Sequence, residues 1–600
     1  MITDTNARFM TSAGGTLTRN FSSGWHCFLP LILLGAGALT AQTTNVMTWH
    51  NNNLRDGLNS SETTLTQAIV AKKTFGKICS TGPGVIDGQI FAEPLVVADG
   101  IKGYSQVVYV ATMNDTVYFI DGGSTDCAVI KTISLLQPNE KAVPCTDIGQ
   151  KDCGTFNATV GILGTPVIDY VTNTMYLVTW TESTAGTCPT TKAAGCFVHR
   201  LHALDISTGL ERYNGPVAIP SVTMGKSKFT SFNHLQRPGL LYLPSAGNKD
   251  DTVYVAFSSM DGSGTIGKSL PSGWVFSFDA QNLAAAPGAW CATPNGEGGG
   301  VWLSGAGLAA GIDQAGGNQY IYTATGDGTF DVEVGGSNYG DTLVKLTTSL
   351  TVADYFTPYK QYCDDLDDGD LGSGGVMLIP NGVASSTMDF VLANGKDGNI
   401  YVADRANLGG YAGPAGKICP KPAGPNLNLE TIPASTTKFY STPAFWAANL
   451  YSVPNAAPLQ KYAVGAACGT GPICKTPVAS SAAKFTYGSV PVVSSNADKT
   501  GTAIVWLIHG NGWPSGNPAL SPTTAVVAAY DAEHVTEPNI IPLLWSSAQC
   551  PKRDGAGDAI KFAVPTVANG RVFVGSTDPA DATSTRGRLD VYGPTSAPCD

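Results

Sequence analysis

Three acidic residues, Glu182, Asp327 and Asp370, stand where short apolar runs give way to loop-forming segments. Carboxylate oxygens are the donors that hard cations prefer, and a carboxylate can also accept a proton from a reacting group. Aspartates in glycine-rich loops are, alternatively, turn formers that bond their own backbone. The acidic run at 364–370 lacks the closing Glu and flanking helices of an EF-hand, which favours a solvated loop. The role of these residues therefore depends on the elements that position them.

Two further residues could contact a ligand. Trp302 follows three consecutive glycines, and Lys396 precedes an Asp-Gly pair typical of a tight turn. The indole ring could contact a ligand or simply cap the central channel, and the lysine could contact a ligand or be a solvated turn residue. His199 and His202 are close in sequence, but their spacing on a strand places them on opposite faces. The sequence therefore predicts no histidine metal pair.

Short apolar runs separated by Gly-, Asn- and Asp-rich segments make up most of the chain, as residues 298–346 show. Within that stretch, β-rich runs at 320–325 and 342–346 flank a glycine-rich loop, and no apolar period of 3.6 residues persists for three turns. This pattern is typical of antiparallel strands joined by turns, and it predicts an all-β protein.

The pattern repeats about every 70 residues, and a proline followed by apolar residues marks the start of most repeats. These prolines are Pro94, Pro166, Pro238, Pro443, Pro491 and Pro565. The gap between Pro238 and Pro443 accommodates two further starts, near Gly307 and Gly375. The sequence therefore contains eight units.

Each unit has room for four strands, as runs at 94–97, 107–111, 117–121 and 129–133 illustrate for the first. Eight units of four antiparallel strands predict an eight-bladed β-propeller. The last unit ends at Tyr592 with three strands, so we expect the run at 75–80 to supply its fourth strand and close the ring. The predicted organisation is a signal peptide at 1–41, a surface lead-in at 42–74, the propeller at 75–593 and a tail at 594–600.

The first 41 residues have the features of a secretory signal peptide. Arg8 and Arg19 precede an apolar stretch at 28–41 that ends in small residues, with cleavage expected near Ala38 or Ala41. The alternative is a signal anchor. No other segment is long and apolar enough to cross a membrane. The protein is therefore expected to be exported, to the periplasm or the cell exterior, without a membrane span after cleavage.

The composition and the missing motifs of the chain argue against several classes of function. Charged residues make up 14% of the chain and the net charge is −11, which suits a large core and argues against nucleic-acid binding. The chain contains no GxSxG or Walker motif and no CxxCH haem motif. The sequence therefore gives no support for acyl transfer on a hydrolase fold or for nucleotide hydrolysis. We expect the protein to be a monomer.

Fourteen cysteines would be unusual in a reducing compartment, so export favours disulfides. Removal of Cys27 with the signal peptide leaves an odd number. Three pairs are close enough in sequence to join the ends of one loop each, although sequence alone does not fix connectivity. These pairs are Cys145/Cys153, Cys188/Cys196 and Cys468/Cys474.

The central units resemble the propellers of pyrroloquinoline-quinone (PQQ) dehydrogenases, in the quinoprotein alcohol dehydrogenase-like superfamily. The similar segments occur in the family's order and are GGGVW at 298–302, IYTATGD at 321–327, GDTL at 340–343, TP at 357–358 with LDDGD at 366–370, and NGKDGNIYVADR at 394–405. The turn at 203–209, ALDISTG, resembles the family's A-x-D-x-x-T-G docking turn, with Tyr213 where that motif ends in Trp. No adjacent Cys-Cys pair is present.

The resemblance implies a role for each of five residues. Trp302 would stack on the quinone, and Lys396 would contact its oxygens. Asp327 would bind calcium in the place of a family Asn, with Glu182 near the family's other calcium-binding carboxylate. Asp370 would be the catalytic base.

Two functions follow as alternatives. The protein could be an exported PQQ-dependent, calcium-assisted dehydrogenase of alcohols or sugars, which the ordered match from Trp302 to Lys396 favours. It could instead be a non-catalytic propeller that binds a protein or polysaccharide through its loop face, which the missing Cys-Cys pair favours. Both place the function on the face that carries the inter-blade loops.

Overall fold

The structure, a computed structural model, describes residues 43–148, 158–191, 194–245, 250–259, 270–314, 316–383, 385, 387–419, 423–433, 437–465, 468, 471–510, 524–581, 583 and 585–599. The predicted signal peptide and Cys153 lie outside these residues. From Gln42 onward the chain forms one compact unit. None of the described helices is long and apolar enough to span a membrane.

The described strands form eight antiparallel blades of four strands each, so the predicted fold is confirmed. Blade 1 consists of Leu95–Ala98, Gln106–Ala111, Thr116–Asp121 and Val129–Ser134. Blade 2 consists of Val167–Asp169, Thr174–Ser183, Phe197–Asp205 and Val217–Ala218. Blade 3 consists of Leu241–Leu243, Thr252–Ser259, Trp274–Asp279 and Gly288–Cys291. Blade 4 consists of Ala309–Ile312, Gln319–Ala324, Leu343–Thr347 and Val352–Phe356.

The second half of the chain continues the same order. Blade 5 consists of Val376–Leu378, Phe390–Asn394, Ile400–Asp404 and Glu430–Ile432. Blade 6 consists of Ala444–Trp446, Asn449–Ser452, Ala457–Ala463 and Ala479–Phe485. Blade 7 consists of Val492–Ser494, Ile504–Gly510, Ala525–Asp531 and Leu543–Ser546. Blade 8 consists of Thr566–Ala568, Arg571–Thr577, Gly587–Pro594 and the N-terminal strand Phe75–Ser80.

Shorter elements lie between the blades. The helices are Gln67–Val70, Cys188–Thr191, Gln361–Leu366 and Pro551–Asp554. Single 3-10 turns occur at Cys145–Asp147, Ala194–Cys196, Leu303–Gly305, Val332–Val334, Leu371–Ser373 and Ser547–Gln549. The remaining strands are Leu58–Asn59, Glu140–Pro144, Thr159–Val160, Thr223–Met224, Ser227–Lys228 and His234–Leu235.

The middle strands are largely buried because each blade packs between two others. All residues of Gln106–Ala111 are buried, as are the first five of Thr116–Asp121. A sheet covered on both faces favours continuous apolar runs of Val, Ile, Tyr and Phe over strict alternation. This explains why the repeat is visible in the sequence as a series of apolar runs.

The ring closes as the sequence predicts. Phe75–Ser80 pairs antiparallel with Gly587–Pro594, at the edge of blade 8. Lys77 Nζ lies 3.0 Å from Oδ1 of the buried Asp590, and a disulfide joins Cys79 of the closing strand to Cys127 of blade 1. The closing strand therefore links the last blade to the first both through the sheet and covalently.

The prediction that the lead-in lies on the surface is wrong at its centre. Trp49, His50 and Arg55 are at most 3% exposed, and the segment runs along the inner strands of the blades. Asn53 and Asn59 bond carbonyl oxygens of blades 3 and 8 through their side chains. The blade residues whose N–H groups donate to lead-in carbonyl oxygens are Val96, Ile168, Ala310, Leu378, Phe445 and Val493.

The physical reason is hydrogen bonding at the axis of the propeller. The innermost strand of every blade presents an unpaired edge, and such an edge is stabilised when another segment covers it. The backbone carbonyl oxygens of the lead-in supply those bonds, and its polar side chains, which suggest exposure, add further bonds to blade carbonyl oxygens. The fully buried Arg55 guanidinium donates to the carbonyl oxygens of Leu308 at 2.8 Å and Leu240 at 3.2 Å.

Five disulfides are present among the described residues. The predicted pairs Cys188–Cys196 and Cys468–Cys474 are confirmed. Three others join cysteines about 50 residues apart, which sequence proximity could not indicate. They are Cys79–Cys127, Cys363–Cys419 and Cys550–Cys599. Cys291 is a buried free thiol.

We expect Cys79→Ser/Cys127→Ser to lower the free energy of unfolding by about 2–4 kcal/mol. The bond spans 48 residues, and a cross-link over a longer loop removes more conformational entropy from the unfolded chain. Cys188→Ser/Cys196→Ser, which opens a loop of 8 residues, is the matched control and should cost less. Thermal unfolding measures both, and an equal or smaller loss for the first variant would contradict this prediction.

Candidate functional site

The loop that precedes blade 4 is tied by its backbone to the segment that follows the second strand of that blade. Gly299 N–H donates to Asp327 O at 2.7 Å, Gly326 N–H donates to Gly300 O at 3.0 Å, and Gly298 pairs with Gly328. Gly299 has a φ of 70°, in the left-handed region that glycine adopts without strain. The three glycines before Trp302 therefore serve this close backbone approach, which places the loops of Trp302 and Asp327 side by side.

Trp302 lies at the end of this glycine segment and is half-buried against the main core. The next two residues, Leu303 and Ser304, have φ values of 51° and 48°. Positive φ is unfavourable for residues with a Cβ and is found preferentially at functional sites. The strained turn fixes the backbone directly after the indole, and Trp302 remains partly accessible for a ligand.

Asp327 and Asp370 are in direct contact. Asp327 N–H donates to Asp370 Oδ1 at 2.7 Å, although the two residues belong to neighbouring blades. A Cβ on Gly326 would stand 2.3 Å from the same carboxylate oxygen. The absence of a side chain at Gly326 is therefore what lets Asp370 reach this backbone.

Lys396 forms ion pairs with both Asp370 and Asp368. Lys438 Nζ lies 2.7 Å from the second oxygen of Asp368. Burial of Lys396 works to lower its pKa, but Asp370 and Asp368 outweigh that effect and leave the pKa raised. Asp370 therefore accepts from Asp327 N–H on one oxygen and from Lys396 on the other, and a carboxylate retains lone pairs for a further donor.

Asp327 is the centre of two groups of carboxylates whose oxygens lie within 4.8 Å of one another. One group contains Asp368 and Asp370, and the other contains Asp341 and Asp365. Burial and the neighbouring Asp370 raise the pKa of Asp327 to about 9. Burial, followed by the charges of Asp327 and Asp370, raises the pKa of Asp341 well above its ordinary value.

The donor set fits a hard cation. Asp327 Oδ1 is buried and has no hydrogen-bond donor, although a buried carboxylate oxygen normally has one. Among the residues that the structure describes, Lys396 is the one cation that contacts Asp370, while four further carboxylates surround Asp327. A divalent or trivalent cation bound by Asp327 would satisfy this oxygen and offset the repulsion among the carboxylates.

Glu182 does not belong to either group among the described residues. It is fully buried on the second strand of blade 2, paired in register with Phe197 and Lys141, and Lys141 Nζ lies 3.5 Å from its Oε2. The structure thus brings together Asp327, Asp370 and Lys396, next to the loop of Trp302. The role of Glu182 remains a prediction.

Several residues of the site were not found from the sequence. Asp341 follows Gly340 in a segment that was recognised only by its resemblance, and Asp365 and Asp368 belong to the acidic run interpreted as a solvated loop. The spacing of that run on the helix at Gln361–Leu366 could have indicated which carboxylates face blade 4. Arg237, which precedes the proline of blade 3, is buried, and its guanidinium donates to the carbonyl oxygens of Leu163 and Ser304.

Comparison with solved structures supports the fold. Quinohemoprotein alcohol dehydrogenase from Comamonas testosteroni matches with a TM-score of 0.53 at 13% identity, over 93% of this chain and 82% of that one. At this identity the likeness concerns the fold, an eight-bladed β-propeller. A europium-containing methanol dehydrogenase matches with a TM-score of 0.53 at 14% identity, over 92% of this chain and 98% of that one.

BamB from Moraxella catarrhalis matches more weakly, with a TM-score of 0.43 at 13% identity over 86% of this chain and 99% of that one. No protein-family model matches the sequence, and no curated protein matches it.

Proposed function

We propose that the protein is an exported, monomeric dehydrogenase that binds PQQ and a hard cation, calcium in the first instance, and oxidises an alcohol or a sugar. The observation that carries this proposal is the buried, donor-free oxygen of Asp327 beside Asp370 and Lys396. The fold shared with two alcohol-oxidising dehydrogenases supports it. The europium in one of them is a cation with the same preference for oxygen ligands.

Asp327 would hold the cation, joined by Asp368 and Asp370 or by Asp341 and Asp365. When bound, PQQ accepts the two electrons of the alcohol and the cation polarises the quinone carbonyl as a Lewis acid. Trp302 would provide one stacking face for the planar ring system. The buried Arg237, which touches Ser304 in the strained turn after Trp302, would oppose a carboxylate of the cofactor.

Asp370 would accept the proton of the substrate hydroxyl. Its two present donors, Asp327 N–H and Lys396, fix the orientation of the carboxylate and leave lone pairs for the substrate. Lys396 would balance the charge of Asp370 and hold it towards blade 4. A general base needs hydrogen-bond reach to the proton it removes, and a cation and hydroxyl bound at Asp327 would stand within that reach.

Export is supported by the five disulfides of the described residues, since such bonds persist in oxidising compartments. We place the protein in the periplasm or outside the cell. Size-exclusion chromatography of the mature protein tests the monomeric state.

The test of this function is a titration of the mature protein with PQQ, with and without calcium. We expect saturable, calcium-dependent binding that quenches tryptophan fluorescence and raises the melting temperature. Trp302→Ala should weaken binding roughly tenfold or more, because a stacked ring contributes about 1–3 kcal/mol. Trp446→Ala, which changes a half-buried indole on the inner strand of blade 6, is the control and should bind as the wild type does.

Absence of saturable binding at tens of micromolar PQQ would overturn the proposal. The propeller would then be a non-catalytic scaffold that binds a protein or polysaccharide through its loop face. If the protein binds PQQ with the same affinity in calcium and in a chelator, the proposed role of the cation is refuted and the proposed role of the quinone stands.

A further inference from the structure

A cleft lies between the loops that precede blades 6, 7 and 8. Its walls include Tyr440, Tyr487, Phe562, Lys561 and, from the second strand of blade 7, His509. Lys561 Nζ lies 4.9 Å from the ring centroid of Phe562, 5.6 Å from that of Tyr440 and 5.7 Å from that of Tyr487. Three blades thus contribute one aromatic ring each around a single ammonium group.

The charges around Lys561 are unbalanced. None of the carboxylates that the structure describes forms an ion pair with it, and the charged groups that act on it most are cations, Lys396 and Arg237. Burial, followed by these two cations, lowers the pKa of Lys561 to about 8. Aromatic faces attract a cation but do not neutralise it. An anion in the cleft would supply the missing opposite charge.

The backbone of the cleft is strained at two of its three rings. Tyr487 has a φ of 64° and Phe562 a φ of 66°, in the left-handed region that large side chains rarely adopt. Asn455 Oδ1 accepts from Tyr487 N–H at 2.8 Å and helps to hold that turn. Strain of this kind persists where surrounding structure enforces it, and it clusters at ligand sites.

We propose that this cleft is a subsite for the carboxylate of a small organic acid, with Lys561 as its cation. The ammonium group would pair with the carboxylate, and the rings of Tyr440, Tyr487 and Phe562 would contact the hydrocarbon part of the ligand. The inference rests on the cleft alone. Joined to the proposed function, it makes the substrate an alcohol that also carries a carboxylate, because the Phe562 ring of the cleft lies 5.9 Å from the Arg237 guanidinium, which contacts Ser304 in the turn after Trp302.

The pH dependence of binding follows from the groups that face the cleft. Burial lowers the pKa of His509 to about 4, so this residue is neutral above pH 5. Burial raises the pKa of Tyr440, and the Tyr440 hydroxyl therefore remains protonated at neutral pH. The remaining cations are Lys396, whose pKa is raised, and Arg237, a guanidinium that stays protonated. Lys561 is therefore the group that should lose its charge as the pH rises through 8.

The test is a calorimetric titration of the mature protein, without PQQ and with EDTA, against lactate and mandelate. Their neutral amides, lactamide and mandelamide, are matched ligands of nearly the same shape. We expect the acids to bind at pH 7 at least tenfold more tightly than the amides. The affinity of the protein for the acids should fall by about tenfold per pH unit well above pH 8, because only the charged form of Lys561 binds them.

Lys561→Met should abolish binding of the acids, and Lys561→Arg should retain it and extend it to higher pH because arginine keeps its charge. Lys499→Met, a change at an exposed lysine of blade 7, is the control. Equal affinity for acids and amides, no binding of the acids at tens of millimolar, or wild-type binding by Lys561→Met would overturn the proposal. Melting temperatures show whether a variant is folded, and the Arg variant tests the charge even if the Met variant is not.

The same design separates this inference from the proposed function. The titration contains neither PQQ nor a metal ion, so the carboxylate subsite can fail while calcium-dependent PQQ binding succeeds. The reverse result, binding of acids by a protein that never binds PQQ, would leave the subsite in place on a propeller that is not a quinoprotein.

Discussion

Asp327→Asn should lower the affinity of the protein for calcium on the order of 100-fold, because calcium affinity depends steeply on the number of charged ligands. The substituted side chain retains the size and one carbonyl oxygen of the original but removes the carboxylate that a bound cation would keep ionised at the centre of both groups. The amide would also place an N–H₂ donor among Asp341, Asp365 and Asp370, which satisfies oxygens that the cation would otherwise bind. Isothermal titration calorimetry with calcium, and terbium luminescence as a second probe, measure the change.

Asp367→Asn is the matched control for this prediction. Asp367 is exposed, belongs to the same acidic run and lies in neither carboxylate group of the described residues. The control should bind calcium as the wild type does, and it should keep the calcium-dependent rise in melting temperature that Asp327→Asn loses. Equal losses in both variants would show that calcium binds the acidic run as a diffuse surface charge, not the site at Asp327.

Phe75→Ala should lower the free energy of unfolding by about 3–5 kcal/mol, the usual cost of truncating a buried phenylalanine. Phe75 is fully buried in the closing strand, with ring centroids 4.9 Å from Trp545 and 5.9 Å from Trp506. The residue joins the closing strand to blade 7 as well as to blade 8. A loss at this position therefore weakens the junction at which the ring closes.

Lys73→Ala is the control, since this exposed side chain lies two residues before Phe75. Arg553 bonds the backbone oxygen of Lys73, which the substitution keeps. The control should change the melting temperature little. Deletion of residues 42–80 from the mature protein is the stronger variant and should abolish the cooperative transition. An intact melting transition after this deletion would contradict closure by the N-terminal strand.

The sequence predicts the propeller well because the information is local and repeated. Each blade packs between two others, so its inner strands are continuous apolar runs, and turns of Gly, Asn and Asp separate them. The closing strand could be predicted because the last unit lacks one strand. The strand Phe75–Ser80 precedes the first unit and does not belong to it, so it is available to fill that place. Both short-loop disulfides that lie within the described residues could be predicted for the same local reason.

Features that depend on the closed ring could not be predicted in this way. The polar composition of the lead-in suggests a surface segment. The side chains of Asn53 and Arg55 nevertheless donate hydrogen bonds to backbone at the inner strands of blades 3 and 4, which lie hundreds of residues away in the sequence. The disulfide between Cys79 and Cys127 links strands that meet only when the ring closes. No local pattern encodes such contacts.

The candidate site, too, could be predicted only in part from the sequence. Asp327, Asp370 and Lys396 were found by resemblance, and the structure places them in contact through Gly326 and the backbone of Asp327. Asp341 and Asp365 were missed because acidic residues in loops are common. Asp341 lies in the same blade 4 loop as Asp327, where its N–H donates to Gly326 O at 2.9 Å, whereas Asp365 reaches Asp327 from the helix between blades 4 and 5. Glu182 was aligned on one strand end, and no described contact joins it to the others.

The most direct test of the central claim is anomalous diffraction from crystals of the mature protein soaked with PQQ and europium. We predict one strong anomalous peak at about 2.3–2.6 Å from the carboxylate oxygens of Asp327, with planar density stacked on Trp302 beside it. Peaks confined to exposed carboxylates, or planar density elsewhere on the propeller, would contradict a cation and quinone site at the junction of blades 4 and 5.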